Sequence, residues 1–509
     1  MALSRKPIEI VNQGNHQLLA KANHWERVAL SEVAKIQNGF AFKSELFTHS
    51  EGKPLIRIRD IENGETQSFY TGDYSNEFIV KKGDILIGMD GDFNAAIWQG
   101  VDSLLNQRVC RILPTSSNFS EDFLFICLQP YLHAINQETS SVTVKHLSSV
   151  TIGEIPLPLP PLAEQHRIVA KIEELFSELD KGIENLKTAR AQLKVYRQAL
   201  LKHAFEGKLT AQWREQNKEK LETASALQQR IQIERAARYQ EQLADWQAAD
   251  HKGSKPKAPK PLPPLTDEEL AELNKLPDGW AWVKLSEICE KITDGDHQAP
   301  PQTKEGIPFI TISDIKNQKI DFSDTRYVSN KYYESLSEER KPTKNDILYT
   351  VTGSFGIPSI VDFDRKFCFQ RHIGLIRSDN NVNNKFLFYL LSSQLIYSQA
   401  VKVATGTAQK TVPLGGLRLF KIPLTSRNEQ HEIVMQLELK LSEVEQLDQT
   451  ITTALQQSEA LRQSTLKKAF SGALVPQDAN DEPASVLLAR IKAEIAAKPA
   501  NKRLAKDSI

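Results

Sequence analysis

Two stretches of the chain carry one pattern, Glu164-Gln165-His166-Arg167-Ile168-Val169 and Glu429-Gln430-His431-Glu432-Ile433-Val434. A second matching pair, residues 201–207 and 466–472, ends in Ala-Phe-x-Gly in both places. Both offsets are 265 residues (164 to 429, 201 to 466), so no residue has been inserted or deleted between these landmarks. A repeat on this scale predicts two copies of one structural unit.

The match continues outside these landmarks with small changes in offset. Each copy combines a globular half of variable sequence with a helical half of constant length, which predicts an internal pseudo-twofold duplication. The further corresponding segments are 28–33 with 283–288, 54–61 with 308–315, 83–86 with 345–348, 107–108 with 370–371, 123–125 with 386–388, and 224–231 with 484–491.

The repeat divides the chain into six predicted segments. They are an N-terminal segment (1–23), a first globular domain (24–160), a central helical region (161–250), a Pro/Lys-rich linker with a short helix (251–278), a second globular domain (279–425) and a C-terminal helical region (426–509). Thr266 and Glu269 predict the N-terminal cap of the short helix, and Ser426 with Glu429 predicts a capping box at the last region. Lysines of the linker could contact phosphate, but a solvated linker is the favoured interpretation.

The globular halves have the patterns of a mixed α/β fold. Residues 56–59 and 310–313 alternate apolar and polar side chains, which predicts half-buried strands. Residues 85–87 and 347–349 predict short buried strands that follow the turns Gly83-Asp84 and Asn345-Asp346. Residues 123–128 and 386–391 predict short helices.

Both helical halves carry the 4-3-4-3 apolar spacing of a coiled coil. Arg190 interrupts the spacing in the first helix and Asp448 interrupts it in the second. Equal lengths favour pairing of the two helices with each other. The alternative is two separate amphipathic helices that pack on the globular domains. The predicted core of the helix pair is Ile172, Phe176, Leu179, Ile183, Leu186, Leu193, Leu437, Leu441, Val444, Ile451 and Leu455.

The composition excludes several classes of protein. The chain has 509 residues, 40% of them hydrophobic, with 64 Lys plus Arg against 64 Asp plus Glu. This apolar content excludes wholesale disorder, and the zero net charge argues against a basic DNA-coating protein without excluding a local basic face. The four cysteines form no CxxC pair, which favours reduced thiols. No apolar run approaches the ~20 residues of a membrane span, and the N-terminus lacks a secretory pattern.

Catalytic signatures are missing from the sequence. It contains no GxxxxGK[ST] loop, no GxGxxG after a strand, and no HExxH or GxSxG motif. It also lacks the Asn/Asp-Pro-Pro-aromatic run typical of adenine-N6 methyltransferases. A long chain without these motifs is expected to bind or organise rather than to catalyse.

The duplicated pattern resembles a known family. Each copy has a variable domain, then Ile-Pro-Leu-Pro (155–158) or Ile-Pro-Leu (422–424), then the Glu-Gln-His-x-Ile-Val helix start and an Ala-Phe-x-Gly helix end. This arrangement is similar to the DNA-specificity subunit of type I restriction-modification systems. The resemblance covers nearly the whole chain. The second copy departs from it where Thr425-Ser426-Arg427-Asn428 stands in the place of the first copy's proline-rich run at 158–161.

The resemblance implies an α+β chain whose two target-recognition domains are held apart by an antiparallel pair of coiled-coil helices. It implies a non-catalytic, cytoplasmic subunit that binds double-stranded DNA, two modification subunits and restriction/translocase subunits, with no membrane. No cofactor is expected on this chain. S-adenosylmethionine, ATP and Mg2+ are expected on the partner subunits, which methylate adenine and cleave DNA.

Two target-recognition domains of different sequence, held apart by one helix pair, predict an asymmetric bipartite target. Identical domains would recognise a palindrome. The DNA-binding candidates have side chains that suit base edges or phosphates. Gln107-Arg108 and Gln370-Arg371 are alike in both copies, which favours phosphate contacts or a structural role. The candidates are Arg57, Arg59, Asn94, Gln107, Arg108, Thr143 and Lys145 in the first copy, and Thr311, Ser313, Ser354, Gln370, Arg371, Thr405, Thr407, Gln409 and Lys410 in the second.

Two other function classes would require different features. A self-sufficient methyltransferase with fused recognition domains would need a cofactor-binding sheet and the Pro-Pro-aromatic motif. A bridging coiled-coil protein would show no DNA sequence preference. The duplicated motifs favour the specificity subunit over both.

Overall fold

The computed structural model describes residues 5–139, 145–251, 255–259, 263–297 and 300–497. The chain divides into two compact units: residues 1–186 with 453–509 form unit 1, and residues 187–452 form unit 2. Each unit combines small β-sheets with helices, which confirms the mixed α+β class.

Unit 1 is built on an antiparallel four-stranded sheet, and Glu26–Ala29 pairs with Pro156–Leu159 directly before the first long helix. The strands of the four-stranded sheet, in spatial order, are Ala34–Asn38, Val109–Pro114, Ile85–Gly88 and Ala95–Ile97. A second sheet has the order Phe47–Thr48, Phe69–Tyr70, Lys53–Ile56, Ser103–Leu105 and Ile79–Val80. The helices are Pro7–Asn12, Leu30–Val33, Glu121–Glu138, Ser149–Gly153 and Ala484–Ala497, with 3-10 turns at Gln17–Leu19, Ser44–Leu46, Ile58–Asp60 and Asn76–Phe78.

Unit 2 repeats this plan, and Ala281–Lys284 pairs with Lys421–Leu424 before the second long helix. Its four-stranded antiparallel sheet has the order Cys289–Asp294, Ile373–Ser378, Ile347–Thr350 and Pro358–Ile360. The smaller sheets are Gln302–Thr303, Arg326–Val328, Ile307–Ile310 and Cys368–Phe369, and Ile315–Lys316 with Lys319–Ile320. The helices are Ala211–Asn217, Ala224–Ala248, Asp267–Ala271, Asn330–Ser335, Asn384–Leu391, Gln394–Val403 and Leu414–Arg418, with 3-10 turns at Lys218–Lys220, Leu285–Glu287, Ile312–Asp314 and Glu338–Arg340.

The predicted buried strands are confirmed at Ile85–Gly88 and Ile347–Thr350, in which every residue is buried. An aspartate fixes each strand's entry. Asp84 accepts a hydrogen bond from Lys81 N (2.7 Å) and pairs with the Arg111 guanidinium (2.9 Å). In unit 2, Asp346 accepts from Thr343 N (2.8 Å) and pairs with Arg377 (2.6 Å). The repeated Asp therefore closes a turn and joins neighbouring strands.

The prediction of strands over 56–59 and 310–313 is wrong. The strands end at Ile56 and Ile310, and 3-10 turns follow. An aspartate is again the physical reason: Asp60 accepts from Arg57 N (2.9 Å), and Asp314 accepts from Thr311 N (2.7 Å). A side-chain acceptor three residues ahead turns the backbone out of the ladder. Arg57 and Arg59, like Thr311 and Ser313, therefore lie on turns.

The predicted short helices over 123–128 and 386–391 are confirmed, the first within the 18-residue helix Glu121–Glu138 and the second within Asn384–Leu391. Buried Phe123 and Phe386 belong to the main hydrophobic core of their own units.

Two 44-residue helices, Leu162–Phe205 and Arg427–Phe470, follow the globular domains and contribute residues to both units. In unit 1, the guanidinium of Arg462 lies 4.4 Å from the centre of the Phe176 ring. In unit 2, Arg190 Nε lies 2.7 Å from Asp448 Oδ1. As the residue number rises along the first helix from 176 to 190, the number of the contacted residue on the second helix falls from 462 to 448. The helices therefore pack together in antiparallel orientation rather than separately on the domains.

All residues predicted for the helix-pair core are buried or half-buried. The buried ones are Ile172, Leu437, Val444 and Ile451, and the half-buried ones are Phe176, Leu179, Ile183, Leu186, Leu193, Leu441 and Leu455.

The capping predictions have different outcomes. Thr266 and Glu269 form the predicted capping box. At the second long helix the box is only half correct, because Ser426 Oγ accepts from Glu429 N (3.2 Å) while the Glu429 carboxylate binds other side chains. The described residues of the linker, 255–259 and 263–266, have no regular secondary structure.

Candidate nucleic-acid interface

Three segments of unit 1 meet at the end of the buried strand Ile85–Gly88. Met89 N donates to Arg108 O (3.0 Å), Leu147 N donates to Met89 O (2.7 Å), and Gly91 N donates to Lys145 O (3.2 Å). These backbone bonds hold residues 88–94, 106–108 and 145–147 together. We call this set the unit 1 junction.

Unit 2 repeats the arrangement with corresponding bonds. Val351 N donates to His372 O (2.9 Å), Val412 N donates to Val351 O (2.7 Å), and Gly353 N donates to Lys410 O (3.0 Å). Residues 350–356, 370–372 and 405–412 therefore form the unit 2 junction. The structure thus brings most of the predicted DNA-binding residues together at the junctions. They are Asn94, Gln107, Arg108 and Lys145 in unit 1, and Ser354, Gln370, Arg371, Thr405, Thr407, Gln409 and Lys410 in unit 2.

A glycine lets a further segment approach each junction. A Cβ on Gly39 would lie 2.0 Å from Asn106 O, and one on Gly295 would lie 2.1 Å from Phe369 O. Both distances are well inside van der Waals contact, so neither position admits a side chain without movement of the backbone. The segment before each Gln-Arg pair is therefore fixed by the same close approach.

The side chains of the unit 1 junction centre on a carboxylate. Asp90 Oδ1 lies 2.6 Å from His146 Nδ1, and Asp90 Oδ2 lies 3.0 Å from Arg108 Nη1. Asp90 is 17% exposed, whereas Arg108 is 54% exposed. The carboxylate therefore holds the guanidinium at the surface, where its remaining N–H groups can meet a ligand.

The unit 2 junction replaces this ion pair with hydroxyl groups. Thr411 Oγ1 donates to Thr352 Oγ1 (3.3 Å), and these residues stand where His146 and Asp90 stand in unit 1. Burial and the neighbouring Arg371 guanidinium lower the pKa of His372 below its usual value. The segments of this junction contain no acidic residue.

The predicted DNA-binding residues of the junctions are mostly accessible. Lys145 Nζ donates to Asn136 O (2.8 Å), which holds it against its own domain, and Asn94 and Gln370 are half-buried. Thr143 lies outside the described residues. The exposed residues are Gln107 and Arg108 in unit 1, and Ser354, Arg371, Thr405, Thr407, Gln409 and Lys410 in unit 2.

Four predicted DNA-binding residues, Arg57, Arg59, Thr311 and Ser313, lie outside the two junctions. Arg57 is half-buried, and its guanidinium lies 5.3 Å from the centre of the Phe47 ring. Thr311 Oγ1 lies 2.8 Å from Ser313 Oγ and also donates to Asp314 (2.8 Å). Arg57 and Thr311 thus make contacts inside their own domains, while Arg59 and Ser313 are exposed on the turns.

The glutamate of the repeated motif forms a buried hub at the start of each long helix. Glu429 accepts from Trp280 Nε1 (2.9 Å), Thr210 Oγ1 (2.7 Å), Thr425 Oγ1 (2.6 Å) and Arg214 Nε (3.2 Å). Four donors match the lone pairs of one carboxylate. The hub ties the helix to the residue that directly precedes the first strand of its domain, and to the chain after the first long helix.

In unit 1 the hub has fewer partners. Glu164 Oε2 accepts from Trp25 Nε1 (2.9 Å) and lies 3.4 Å from His24 Nε2. Within the described part of the chain, its buried Oε1 has no hydrogen-bond partner. The offset of 265 puts Val475 where unit 2 has Thr210, which removes one donor.

The glutamine of the motif binds backbone on both sides. Gln165 accepts from Ser120 N (2.8 Å) and donates to Pro160 O (2.9 Å). Gln430 likewise accepts from Asn383 N (2.9 Å) and donates to Thr425 O (2.8 Å). The Glu-Gln pair therefore docks each long helix on the domain before it, which explains why both copies retain it.

Comparison with known proteins matches this architecture to one family. The family model described as "Type I restriction modification DNA specificity domain" matches residues 23–188 and 277–457. The chain belongs to the type I restriction-modification DNA specificity family. It is 33% identical over 98% of both chains to the type I restriction enzyme EcoBI specificity subunit of Escherichia coli, and 23% identical over 95% of this chain and 98% of the relative to the EcoKI specificity subunit of Escherichia coli strain K12.

A solved chain supports the fold. It comes from a study of complex assembly and conformational transition in the type I R-M system, and shares 19% sequence identity at a TM-score of 0.59, covering 89% of this chain and 99% of the solved one. In this specificity-family chain, none of the helices in the described ranges is long and apolar enough to cross a membrane.

The sequence interpretation missed several residues of the site. Trp25 and Trp280 share the 255-residue offset of Val28 and Val283, so extending that match by three residues would have found them. Asp90 and His146 gave no such signal, because the corresponding residues of unit 2, Thr352 and Thr411, are of a different type.

Proposed function

We propose that each globular domain of this specificity subunit reads one half of an asymmetric bipartite DNA target through its junction. The supporting observation is that corresponding backbone hydrogen bonds hold chemically different side chains in the two junctions. A shared scaffold with divergent polar side chains suits two readers of different sequences. The target-contacting candidates are the exposed junction residues, with Arg108 foremost in unit 1.

The long helices set the number of unread base pairs between the half-sites. Each has 44 residues, which at about 1.5 Å per residue gives a length of roughly 66 Å. Readers docked in the major groove on one face of DNA sit about 34–36 Å apart. An antiparallel helix pair of this length is long enough to span that separation.

The chemistry belongs to partners. Two modification subunits with S-adenosylmethionine would methylate adenine, and restriction/translocase subunits with ATP and Mg2+ would cleave DNA, as the family resemblance implies. The zero net charge of this chain gives it no general attraction to DNA, so tight binding is expected only in the complex.

A domain exchange tests the bipartite reading. Residues 24–160 would be replaced by the corresponding domain of a relative, and N6-methyladenine would be mapped in cells that carry the chain with its partner subunits. We expect one half-site to change while the other stays intact. The reciprocal exchange of 279–425 serves as the matched control and should change the other half. A single exchange that alters both half-sites would contradict independent reading.

An insertion tests the spacer. Four residues inserted within 180–190, with four more within 445–455, lengthen the helix pair by about 6 Å. Both half-sites should persist while the preferred spacer grows by about one or two base pairs, given a rise of about 3.4 Å per base pair. An active variant with the original spacer would show that the helices do not set it.

A further inference from the structure

The two interruptions of the apolar spacing meet in the structure. Arg190 Nε lies 2.7 Å from Asp448 Oδ1, and Arg190 Nη2 lies 3.2 Å from Asp448 Oδ2. The same Nη2 also donates to Thr452 Oγ1. Each charge therefore finds its partner on the opposite helix, in the seam where heptad spacing would otherwise place an apolar side chain.

The duplication makes this pair unsymmetrical. The 265-residue offset relates Arg190 to Leu455 and Asp448 to Ile183. The register that joins Arg190 to Asp448 also joins Phe176 to Arg462, because the residue numbers of both contacts add to 638. In this register Ile183 stands opposite Leu455. One end of the seam thus carries an ion pair where the pseudo-equivalent place carries two apolar residues.

This asymmetry bears on the choice of partner helix. Since the helices are related by duplication, each could also pair antiparallel with its own copy in a second chain, in the equivalent register. Two copies of the first helix would then put Arg190 opposite Ile183 twice. Two copies of the second would put Asp448 opposite Leu455 twice. Each self-pairing leaves two seam charges facing apolar side chains, without the opposite charge.

We propose that the Arg190–Asp448 pair directs the two long helices to pair with each other within one chain rather than with their copies in a second chain. Both side chains are partly exposed, at 34% and 48%, so the pair acts less through stability than through the poor match of the alternatives. Polar seam residues are known to select coiled-coil partners in this way.

The test uses two full-length chains with different affinity tags, co-expressed so that the helices choose partners while they fold. Capture on one tag followed by quantitative mass spectrometry of the other measures mixed dimers. The variant R190L/D448I installs the apolar residues of the pseudo-equivalent positions and makes all pairings alike. We expect its mixed-dimer fraction to exceed that of the wild type roughly tenfold.

Two controls separate partner choice from added apolar surface. R190D/D448R restores the pair with reversed charges and should stay at the wild-type fraction. Arg197 and Arg462 are related by the same offset, so R197L/R462L changes every pairing equally and should also stay near the wild type. Circular dichroism establishes that each variant is folded.

Three results would overturn the proposal. The first is an R190L/D448I variant with no more mixed dimer than the wild type. The second is a charge-reversed variant that exchanges as readily as R190L/D448I. The third is an equal rise in R197L/R462L, which would assign the effect to apolarity alone. The measurement does not use DNA, so its failure is distinguishable from failure of the proposed bipartite reading.

Discussion

In both units, a tryptophan donates a hydrogen bond to the glutamate at the start of the long helix, but the other partners of that glutamate differ. Glu429 in unit 2 has four side-chain donors, whereas Glu164 in unit 1 has Trp25, a distant His24 and a buried oxygen without a partner in the described chain. The backbone contacts of the neighbouring glutamines are alike in both units. Duplication has thus preserved the docking of the helix, while the polar side chains around it have diverged.

The junctions repeat this lesson at the surface. Asp90, Asp92, Arg108 and Lys145 give the unit 1 junction a formal charge of zero, whereas Arg371 and Lys410 leave the unit 2 junction positive. The backbone hydrogen bonds that hold both junctions correspond. The two junctions therefore differ in the side chains that a ligand could contact and agree in the backbone hydrogen bonds that hold the loops.

The largest expected difference is between E429A and E164A. Removing Glu429 leaves buried donors and the Arg214 guanidinium without their acceptor, which should destabilise unit 2 by about 3–5 kcal/mol. Removing Glu164 leaves mainly Trp25 Nε1 without its acceptor, and should destabilise unit 1 by about 1–2 kcal/mol. Thiol labelling along a urea titration, read by peptide mass spectrometry, measures each unit separately.

The cysteines make this measurement specific. Cys110 and Cys127 lie in unit 1, and Cys289 and Cys368 lie in unit 2; all four are buried. Burial raises the pKa of Cys110, Cys289 and Cys368 to about 12, so the native thiols should not react. E482A, which removes a partly exposed carboxylate, is the control. Equal destabilisation by E164A and E429A would show that the additional donors of Glu429 do not contribute to stability.

The next effect concerns the junction arginines. The likeness of the two Gln-Arg pairs favours phosphate contacts, but the corresponding backbone bonds put His372 rather than Arg371 in the place of Arg108, so the two arginines need not share a role. R108A should weaken binding of the assembled complex to the unit 1 half-site by about 1–3 kcal/mol and relax sequence preference there, because Asp90 presents Arg108 for bidentate contact. Among the described residues, no carboxylate holds Arg371 as Asp90 holds Arg108, so R371A should reduce affinity without changing sequence preference. Titration against DNA libraries randomised in one half-site distinguishes them. Loss of preference in both variants would show that the Asp90 contact is not decisive.

A smaller effect should stabilise unit 1. V475T introduces a hydroxyl where unit 2 has Thr210, and can donate to the unpartnered Oε1 of Glu164. The free energy of unfolding of unit 1 should rise by about 0.5–1.5 kcal/mol, the usual net value of a hydrogen bond. V475A, which removes apolar volume without adding a donor, should destabilise it. A V475T variant no more stable than the wild type would mean that the Oε1 of Glu164 gains nothing from this position.

The smallest effect is a pH dependence confined to unit 2. The pKa of His372 is lowered by burial and Arg371, so the unfolded chain takes up this proton at higher pH than the folded one. Stability should therefore be full above about pH 6.5, the unperturbed histidine value, and fall as the pH drops through the lower folded value. H372Q should flatten this dependence for Cys289 and Cys368 labelling. An unchanged slope would assign the dependence to other groups.

The sequence predicts the duplication, the two long helices and the buried strands after Asp84 and Asp346. These features depend on periodicity and on repeated spacing, which are local properties of the chain. It also located both interruptions of the heptads, Arg190 and Asp448, but as separate irregularities. The strand predictions at 56–59 and 310–313 failed because Asp60 and Asp314 turn the backbone, a local hydrogen bond that apolar alternation does not reveal.

The sequence does not predict which distant residues share a surface, because that depends on how the elements pack. Asp90, Arg108 and His146 are separated in sequence and become neighbours because three loops bond through their backbones at one strand end. The carboxylates of Glu164 and Glu429 acquire their different surroundings in the same way, from segments far along the chain. Spacing can predict which element a residue belongs to, but hydrogen-bond partners between elements depend on how those elements pack.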